Sequence, residues 1–189
     1  QEAVDLALRQ GTTTDTVLDT VAAVTASGAT ALVMSYWNPI ERYGVERFAD
    51  RLADGGGHGV ITPDLTPEEA GPWIDATTRR SLDRVFLVAP SSTDARIATV
   101  CSVTSGFVYA ASTMGVTGAR SHVSSAAPGL VARTKAITPL PVAVGLGVST
   151  GEQAREVAGY ADGVIVGSAF VRQILDAAEA AGEQFWQLP

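Results

Sequence analysis

The sequence predicts an α/β fold, in which parallel strands and helices alternate as in part of a (β/α)8 barrel. Two observations carry this prediction. Short apolar runs alternate with amphipathic segments, and no hairpin turn signals separate them, which is typical of parallel strands joined by helices. A length of 189 residues is enough for one sizeable core and too short for two, so we expect residues 1–189 to form a single domain.

Six strands are expected, each an almost continuous apolar run, as is typical of parallel strands that helices cover on both faces. The runs lie at residues 31–34, 59–62, 85–89, 107–110, 141–145 and 163–166. A complete barrel has eight strands in about 250 residues, so the length of chain per unit agrees. Because the chain opens within a helical pattern at residues 1–10, we expect two further units to precede Gln1. The six strands would then be strands 3 to 8 of a barrel.

The helices are predicted from their ends. Residues 66–69 (TPEE) and 149–152 (STGE) each place a hydroxyl residue three positions before a Glu, which is the pattern of a capping box at a helix start. Residues 41–54 carry an apolar stripe at helical spacing and are expected to form one helix, which the glycines at 55–57 end. A last helix is expected from Ser168 to about residue 182.

Composition and charge exclude several classes of function. The formal net charge is −7 at pH 7, and no basic run could attract nucleic acid or anionic lipid locally. The apolar runs are far shorter than the ~20 residues of a membrane span. Cys101 is the only cysteine, and His58 and His122 are the only histidines. We therefore expect neither a disulfide nor a metal site, and a reducing cytoplasm is favoured.

Three glycine-bearing loops follow the last three expected strands, at residues 115–118 (GVTG), 145–149 (GLGVS) and 167–168 (GS). In a barrel the loops at the carboxyl ends of the strands share one face, and glycines let backbone amides approach an oxyanion closely. One glycine pair alone is more typical of a turn. Three in successive loops, one of them directly before a helix, predict a phosphate-binding site.

The sequence allows two interpretations for each of three further residues near strand ends. Tyr109, at the end of the expected sixth strand, could project into the barrel mouth or into the core. Asp64 follows the fourth strand, where a functional residue and a turn-forming Asp beside Pro63 are equally plausible. Asn38 follows the third strand, and Asn before Pro is also a common turn starter.

These motifs resemble the alpha subunit of tryptophan synthase, in its actinobacterial form. They follow the family's order along nearly the whole chain, at residues 36–40 (YWNPI), 42–45 (RYGV), 62–65 (TPDL), 67–69 (PEE), 85–94 (VFLVAPSSTD), 112–118 (STMGVTG), 144–147 (VGLG) and 166–168 (VGS). The resemblance implies a cytoplasmic lyase of tryptophan biosynthesis. It would split indole-3-glycerol phosphate by a retro-aldol step into indole and glyceraldehyde 3-phosphate, with no cofactor or metal in this subunit.

The resemblance also assigns roles to residues. The family's phosphate-binding amides match Gly118, Gly147, Gly167 and Ser168. Positions that line the indole pocket match Met34, Tyr109, Leu146 and Ile165, although many members carry Phe where Leu146 stands. Thr117 matches a threonine that supports closure of the active site. Asn38 and Asp64 match positions near the contact with a beta subunit, which contains pyridoxal phosphate and completes an alpha2beta2 heterotetramer.

The family's acid and base are a Glu and an Asp that would both precede Gln1. Because retro-aldol chemistry needs both carboxylates, we expect the 189-residue chain to be inactive alone. Two alternatives stay open. Another phosphate-binding barrel enzyme, such as indole-glycerol-phosphate synthase, is disfavoured because Lys135, the only lysine, lies in a predicted helix. The second alternative is a non-catalytic phosphate-binding module that docks on a beta subunit.

Overall fold

The computed structural model describes residues 2–112, 125–145 and 147–181. Helices and strands alternate through these ranges. The helices are α1 (Glu2–Arg9), α2 (Thr14–Ala26), α3 (Trp37–Tyr43), α4 (Val45–Asp54), α5 (Gly71–Arg79), α6 (Asp94–Val103), α7 (Ala127–Lys135), α8 (Gly151–Ala158) and α9 (Ser168–Ala181). The strands are β1 (Leu32–Met34), β2 (Gly59–Ile61), β3 (Asp83–Val85), β4 (Leu87–Val88), β5 (Val108–Ala111), β6 (Val142–Gly145) and β7 (Gly163–Val164).

The strands form two parallel ladders, β1-β2-β3 and β4-β5-β6-β7, each in sequence order. Only Phe86 separates β3 from β4. Its carbonyl oxygen accepts a hydrogen bond from Tyr109 N at 3.1 Å, so the second ladder begins where the first ends. All six predicted runs are confirmed as strands, and the predicted run 85–89 is divided between β3 and β4.

Apolar side chains from both ladders and the surrounding helices form one continuous core cluster. Val60 of β2 and Val144 of β6 are fully buried, as expected for strands that are covered on both faces. Helices α4 and α5 contribute Phe48 and Trp73, whose rings meet edge to face with centroids 6.1 Å apart. The continuous apolar runs of the sequence are therefore explained by burial.

The prediction of one helix over residues 41–54 is wrong, because Gly44 divides this segment. Helix α3 ends at Tyr43 and α4 begins at Val45. Gly44 has φ +99°, which is outside helical geometry, and its N–H bonds to the last carbonyls of α3. The apolar stripe is nevertheless buried at Phe48 and Leu52.

The predicted helix start at residues 66–69 is also wrong. Residues 67–69 form a turn, and α5 begins at Gly71. Pro72 has no N–H to donate to the carbonyl of Glu68, so a helix that began at Pro67 could not continue through it. The helical patterns at the two ends of the described chain are present as α1 and α9.

Candidate functional site

A cavity of about 650 Å³ opens at the carboxyl ends of the strands. Its walls come from the end of β1, from β5, from the loops after β6 and β7, and from the starts of α9 and α1. In parallel α/β folds this edge collects the loops that follow the strands. The cavity therefore lies where the sequence predicts a binding site.

Six of the predicted site residues line this single cavity. They are Met34, Tyr109, Gly147, Ile165, Gly167 and Ser168. Thr117, Gly118 and Leu146 lie outside the described residues, and so do the positions 115–118 of the first glycine loop. Of the three predicted loops, the two within the described ranges thus meet at one place.

Tyr109 combines the two positions that its sequence context left open. Its side chain is buried, with 2% of its surface exposed, and it also borders the cavity. The ring lies directly over Gly145, where an added Cβ would overlap the tyrosine hydroxyl and lie 2.9 Å from Cε1. Glycine at position 145 therefore makes room for the ring at the end of β6.

Residues 147–150, in the loop after β6, have a defined backbone conformation. Gly147 adopts φ +107°, a region that favours glycine, and the side chain of Val148 is buried. Ser149 N and Thr150 N donate to Gln153 Oε1 at 2.7 and 3.1 Å. Gly147, Val148 and Ser149 line the cavity.

The capping residues of α8 differ from the prediction. Thr150, and not Ser149, is the N-cap: its Oγ1 accepts a hydrogen bond from Gln153 N at 3.2 Å. Gln153, and not Glu152, completes the capping box. Gln153 was not predicted from the sequence, although a threonine followed three positions later by glutamine is a recognised form of the same pattern.

The loop after β7 leads directly into α9. The carbonyl of Gly167 accepts the hydrogen bond of Val171 N at 3.1 Å, so the helix is already formed at Ser168. The first amides of a helix have no partner within it, and they carry partial positive charge. Gly167, Ser168 and Ala169 bring this helix start to the cavity wall.

Two charged residues stand among the described residues that line the cavity, Glu2 of α1 and Arg172 of α9. Arg172 Nη1 lies 3.2 Å from Glu2 Oε2, and both side chains are more than half exposed. Glu2 is therefore the one carboxylate in this part of the lining, and it already has a cationic partner.

Asn38 and Asp64 lie at the carboxyl ends of β1 and β2, and neither is among the described residues that line the cavity. The Asp64 carboxylate accepts hydrogen bonds from Trp37 N at 2.9 and 3.1 Å. The N-cap residue of α3, Tyr36, provides no side-chain cap of its own. Asp64 therefore caps α3 from a neighbouring loop, while Asn38 is exposed in the first turn of that helix.

Other chemistries find little support in the described ranges. Within residues 2–112, 125–145 and 147–181, no three His, Cys, Asp or Glu side chains are placed to hold a metal ion. Partial burial raises the pKa of the Cys101 thiol, which disfavours the reactive thiolate. No helix in these ranges has the length and apolar character that crossing a bilayer requires.

A family model, related sequences and solved structures all match this chain to the same family. The family model for the tryptophan synthase alpha chain matches residues 1–188. The tryptophan synthase alpha chain of Acidothermus cellulolyticus is 61% identical over 179 residues, which cover 95% of this chain and 67% of that relative. A solved structure of tryptophan synthase from Mycobacterium tuberculosis superposes with a TM-score of 0.88 at 54% identity, covering 93% of this chain and 67% of that one.

A more distant relative gives the same fold. The tryptophan synthase a2b2 complex of Pyrococcus furiosus matches with a TM-score of 0.81 at 34% identity, covering 90% of this chain and 69% of that one. The chain thus spans about two thirds of the length of the relatives it matches. The predicted α/β fold, as part of a (β/α)8 barrel, is confirmed, and on fold and sequence together the chain belongs to the tryptophan synthase alpha chain family.

Proposed function

We propose that this chain binds indole-3-glycerol phosphate in the cavity at the carboxyl ends of its strands and serves the retro-aldol cleavage of that substrate to indole and glyceraldehyde 3-phosphate. The observation that carries the proposal is the meeting of two glycine loops, a helix start and an apolar wall in one cavity. A phosphorylated aromatic substrate needs both kinds of surface.

The phosphate would lie between the loop after β6 and the start of α9. Gly147, Gly167 and Ser168 line this part of the cavity, and backbone amides at a helix N-terminus bind anions without a lysine. Gly118 would complete the phosphate site, as the resemblance implies.

The indole ring would lie against the apolar wall. Met34 at the end of β1, Tyr109 within β5 and Ile165 directly after β7 all border the cavity. Met34 is 44% exposed, so its side chain is accessible to a ligand. In the family Leu146 also belongs to this wall, and Thr117 supports closure over the substrate.

Cleavage requires an acid that protonates the indole carbon and a base that accepts the proton of the indole nitrogen and later returns it. As the carbon–carbon bond breaks, the glycerol hydroxyl that becomes the aldehyde must also give its proton to a base. Glu2, the carboxylate in the described lining, is paired with Arg172. As the resemblance implies, we expect the chain alone to bind substrate without turnover and to use no cofactor of its own. Removal of one catalytic acid or base typically lowers a rate by ~10²–10⁴-fold.

The chain would work in the cytoplasm as a single domain over residues 1–189, docked on a beta subunit that contains pyridoxal phosphate. The Pyrococcus furiosus structure concerns the mutual activation of an a2b2 complex, which supports an alpha2beta2 assembly here. Asn38 and Asp64 would lie at the contact with that subunit, since both stand exposed beside the ends of β1 and β2.

Calorimetric titration of the chain tests substrate binding. We expect indole-3-propanol phosphate, which joins both halves of the substrate, to bind more tightly than glycerol 3-phosphate or indole alone. Glycerol should not bind. Equal affinity for the phosphorylated and unphosphorylated compounds would contradict the proposed phosphate site.

An assay of indole release, with and without a beta subunit, separates the enzyme from the alternative. Turnover supports the lyase if it appears once the beta subunit is present and the chain is extended by the two expected units that carry the catalytic Glu and Asp. Phosphate binding that alters beta-subunit activity, with no indole released under any condition, would favour a non-catalytic module instead.

A further inference from the structure

We infer that Gln153 is a positioning residue, which holds the loop of residues 147–150 in the conformation that receives the phosphate. This inference rests on the proposed function. Gln153 lies on α8 behind the loop and is not among the described residues that line the cavity. It would act through the backbone of the loop, and not by contact with the ligand.

A single side-chain oxygen organises this loop. Gln153 Oε1 accepts hydrogen bonds from Ser149 N at 2.7 Å, Ser149 Oγ at 3.0 Å and Thr150 N at 3.1 Å. Gln153 is buried, with 8% of its surface exposed, so water competes little for these bonds. Ser149 itself lines the cavity.

These hydrogen bonds determine which way the loop amides point. The N–H groups of Ser149 and Thr150 are directed into the protein, toward Gln153. With the side chain of Val148 buried beside them and Gly147 at φ +107°, the loop is held on both sides. Gly147 is thereby kept at the cavity wall, where the phosphate is proposed to bind.

A neutral amide suits this position better than a carboxylate. The oxygen of Gln153 accepts from three donors without adding a formal charge behind an anion site. A glutamate could accept the same hydrogen bonds, but its charge would repel a phosphate dianion and would itself be costly to bury.

The same type of cap elsewhere in the chain shows what is particular to Gln153. Thr13 and Thr16 form a capping box at the start of α2, with hydrogen bonds of 3.3 Å in both directions. That box is exposed and joins only its own two residues. Gln153 reaches one residue further, to a residue of the cavity wall, which a helix cap alone does not require.

The variant Gln153→Met tests the inference because it keeps the length of the side chain and removes the acceptor. We expect the affinity for glycerol 3-phosphate to fall on the order of tenfold, measured by calorimetry. The affinity for indole should change less than about twofold, because the apolar wall is formed by other strand ends. A general folding defect would weaken both ligands together.

Two control variants separate loop position from helix stability. Glu152→Gln alters the exposed neighbouring residue and should leave both affinities unchanged. Thr13→Val removes the cap of α2, which is not among the described residues that line the cavity, and should lower the melting temperature without weakening phosphate binding. Equal affinity of Gln153→Met and the unaltered chain for glycerol 3-phosphate would overturn the inference.

Amide hydrogen exchange of the unaltered chain gives a test that needs no variant. The amides of Ser149 and Thr150 should exchange slowly before any ligand is added, and exchange as fast as that of an open loop would overturn the inference. If the unaltered chain binds no glycerol 3-phosphate although these amides are protected, the proposed function fails while the local structure stands.

Discussion

Asp64 and Gln153 fix loops in different ladders, Asp64 after β2 in the first and Gln153 after β6 in the second, and they do so with different chemistry. At the β1 and β2 end, Asp64 is exposed and charged and bonds the backbone of Trp37, 27 positions away. At the β6 and β7 end, Gln153 is buried and neutral and bonds residues at most four positions away. A charged cap stands where no anion is proposed to bind, and a neutral one stands behind the proposed phosphate site.

The two regions also differ in how closely their side chains are packed. At the β1 and β2 end, Met34 and Tyr36 are 44% and 59% exposed. At the β6 end, the Tyr109 ring covers Gly145 so closely that a side chain would overlap it. The contrast shows that β1 presents accessible side chains, of which Met34 borders the cavity, whereas the end of β6 is closely packed.

Gly145→Ala should have the largest effect. The added methyl group would overlap the Tyr109 hydroxyl and ring, and overpacking of a filled core costs about 1–3 kcal/mol. We expect this loss of unfolding free energy in urea denaturation, together with weaker indole binding because the ring is displaced into the cavity. Gly129→Ala is the matched control, since nothing lies within 4 Å of a Cβ there. Equal stability of both variants would show that the β6 end is not closely packed.

Asp64→Ala should have an intermediate effect. The carboxylate provides the side-chain cap for the amide of Trp37, and loss of a helix cap costs about 1 kcal/mol. Asp64→Asn keeps an oxygen acceptor and should recover most of that stability in urea denaturation. Asp75→Ala, on the exposed side of α5, serves as a control. If Asp64→Asn is as unstable as Asp64→Ala, then the negative charge, and not the hydrogen bond, is what matters at this end.

Asp162→Asn should have the smallest effect. Asp162 extends the comparison to the amino-terminal ends of β6 and β7. The hydrogen bond from Lys135 Nζ at 2.8 Å, followed by that from Val142 N at 2.9 Å, lowers the pKa of Asp162. A lowered folded-state pKa gives stability that is present above the unfolded value of 3.8 and is lost as pH falls through the folded value.

Thermal unfolding measured at a series of acidic pH values checks this expectation. The unaltered chain should lose more stability than Asp162→Asn as the pH falls below about 4. Asp176→Asn on α9 removes a charge elsewhere and provides the comparison. Parallel acid profiles for the unaltered chain and Asp162→Asn would refute the coupling.

Much of the fold was predictable because its strands are buried on both faces and so appear as continuous apolar runs. The helix break at Gly44 was not predicted. The apolar stripe continues through Phe48 and Leu52 at helical spacing, and this spacing does not show where the helix begins. The positive φ of Gly44 in the structure reveals the break.

The candidate site was predictable to the extent that it consists of backbone. Glycine loops placed after successive strands predicted where Gly147, Gly167 and Ser168 would meet. The supporting side chains depend on reach between elements, which sequence order does not give. The hydrogen bonds of Asp64 to Trp37 and of Gln153 to Ser149 were therefore visible only in three dimensions.

The contacts of Lys135 have a practical consequence for spectroscopic work. Its ammonium group is the only lysine amine in the sequence, and it bonds both Asp162 Oδ1 and the carbonyl of Tyr160. Among the lysines, an amine-reactive dye would therefore modify Lys135 alone. The modification would remove the positive charge that pairs with Asp162, whose carboxylate also accepts a hydrogen bond from Val142 N at the start of β6. A fluorophore on a cysteine introduced at the exposed face of α2 leaves Lys135 intact, once Cys101, the one native thiol of the sequence, has been replaced.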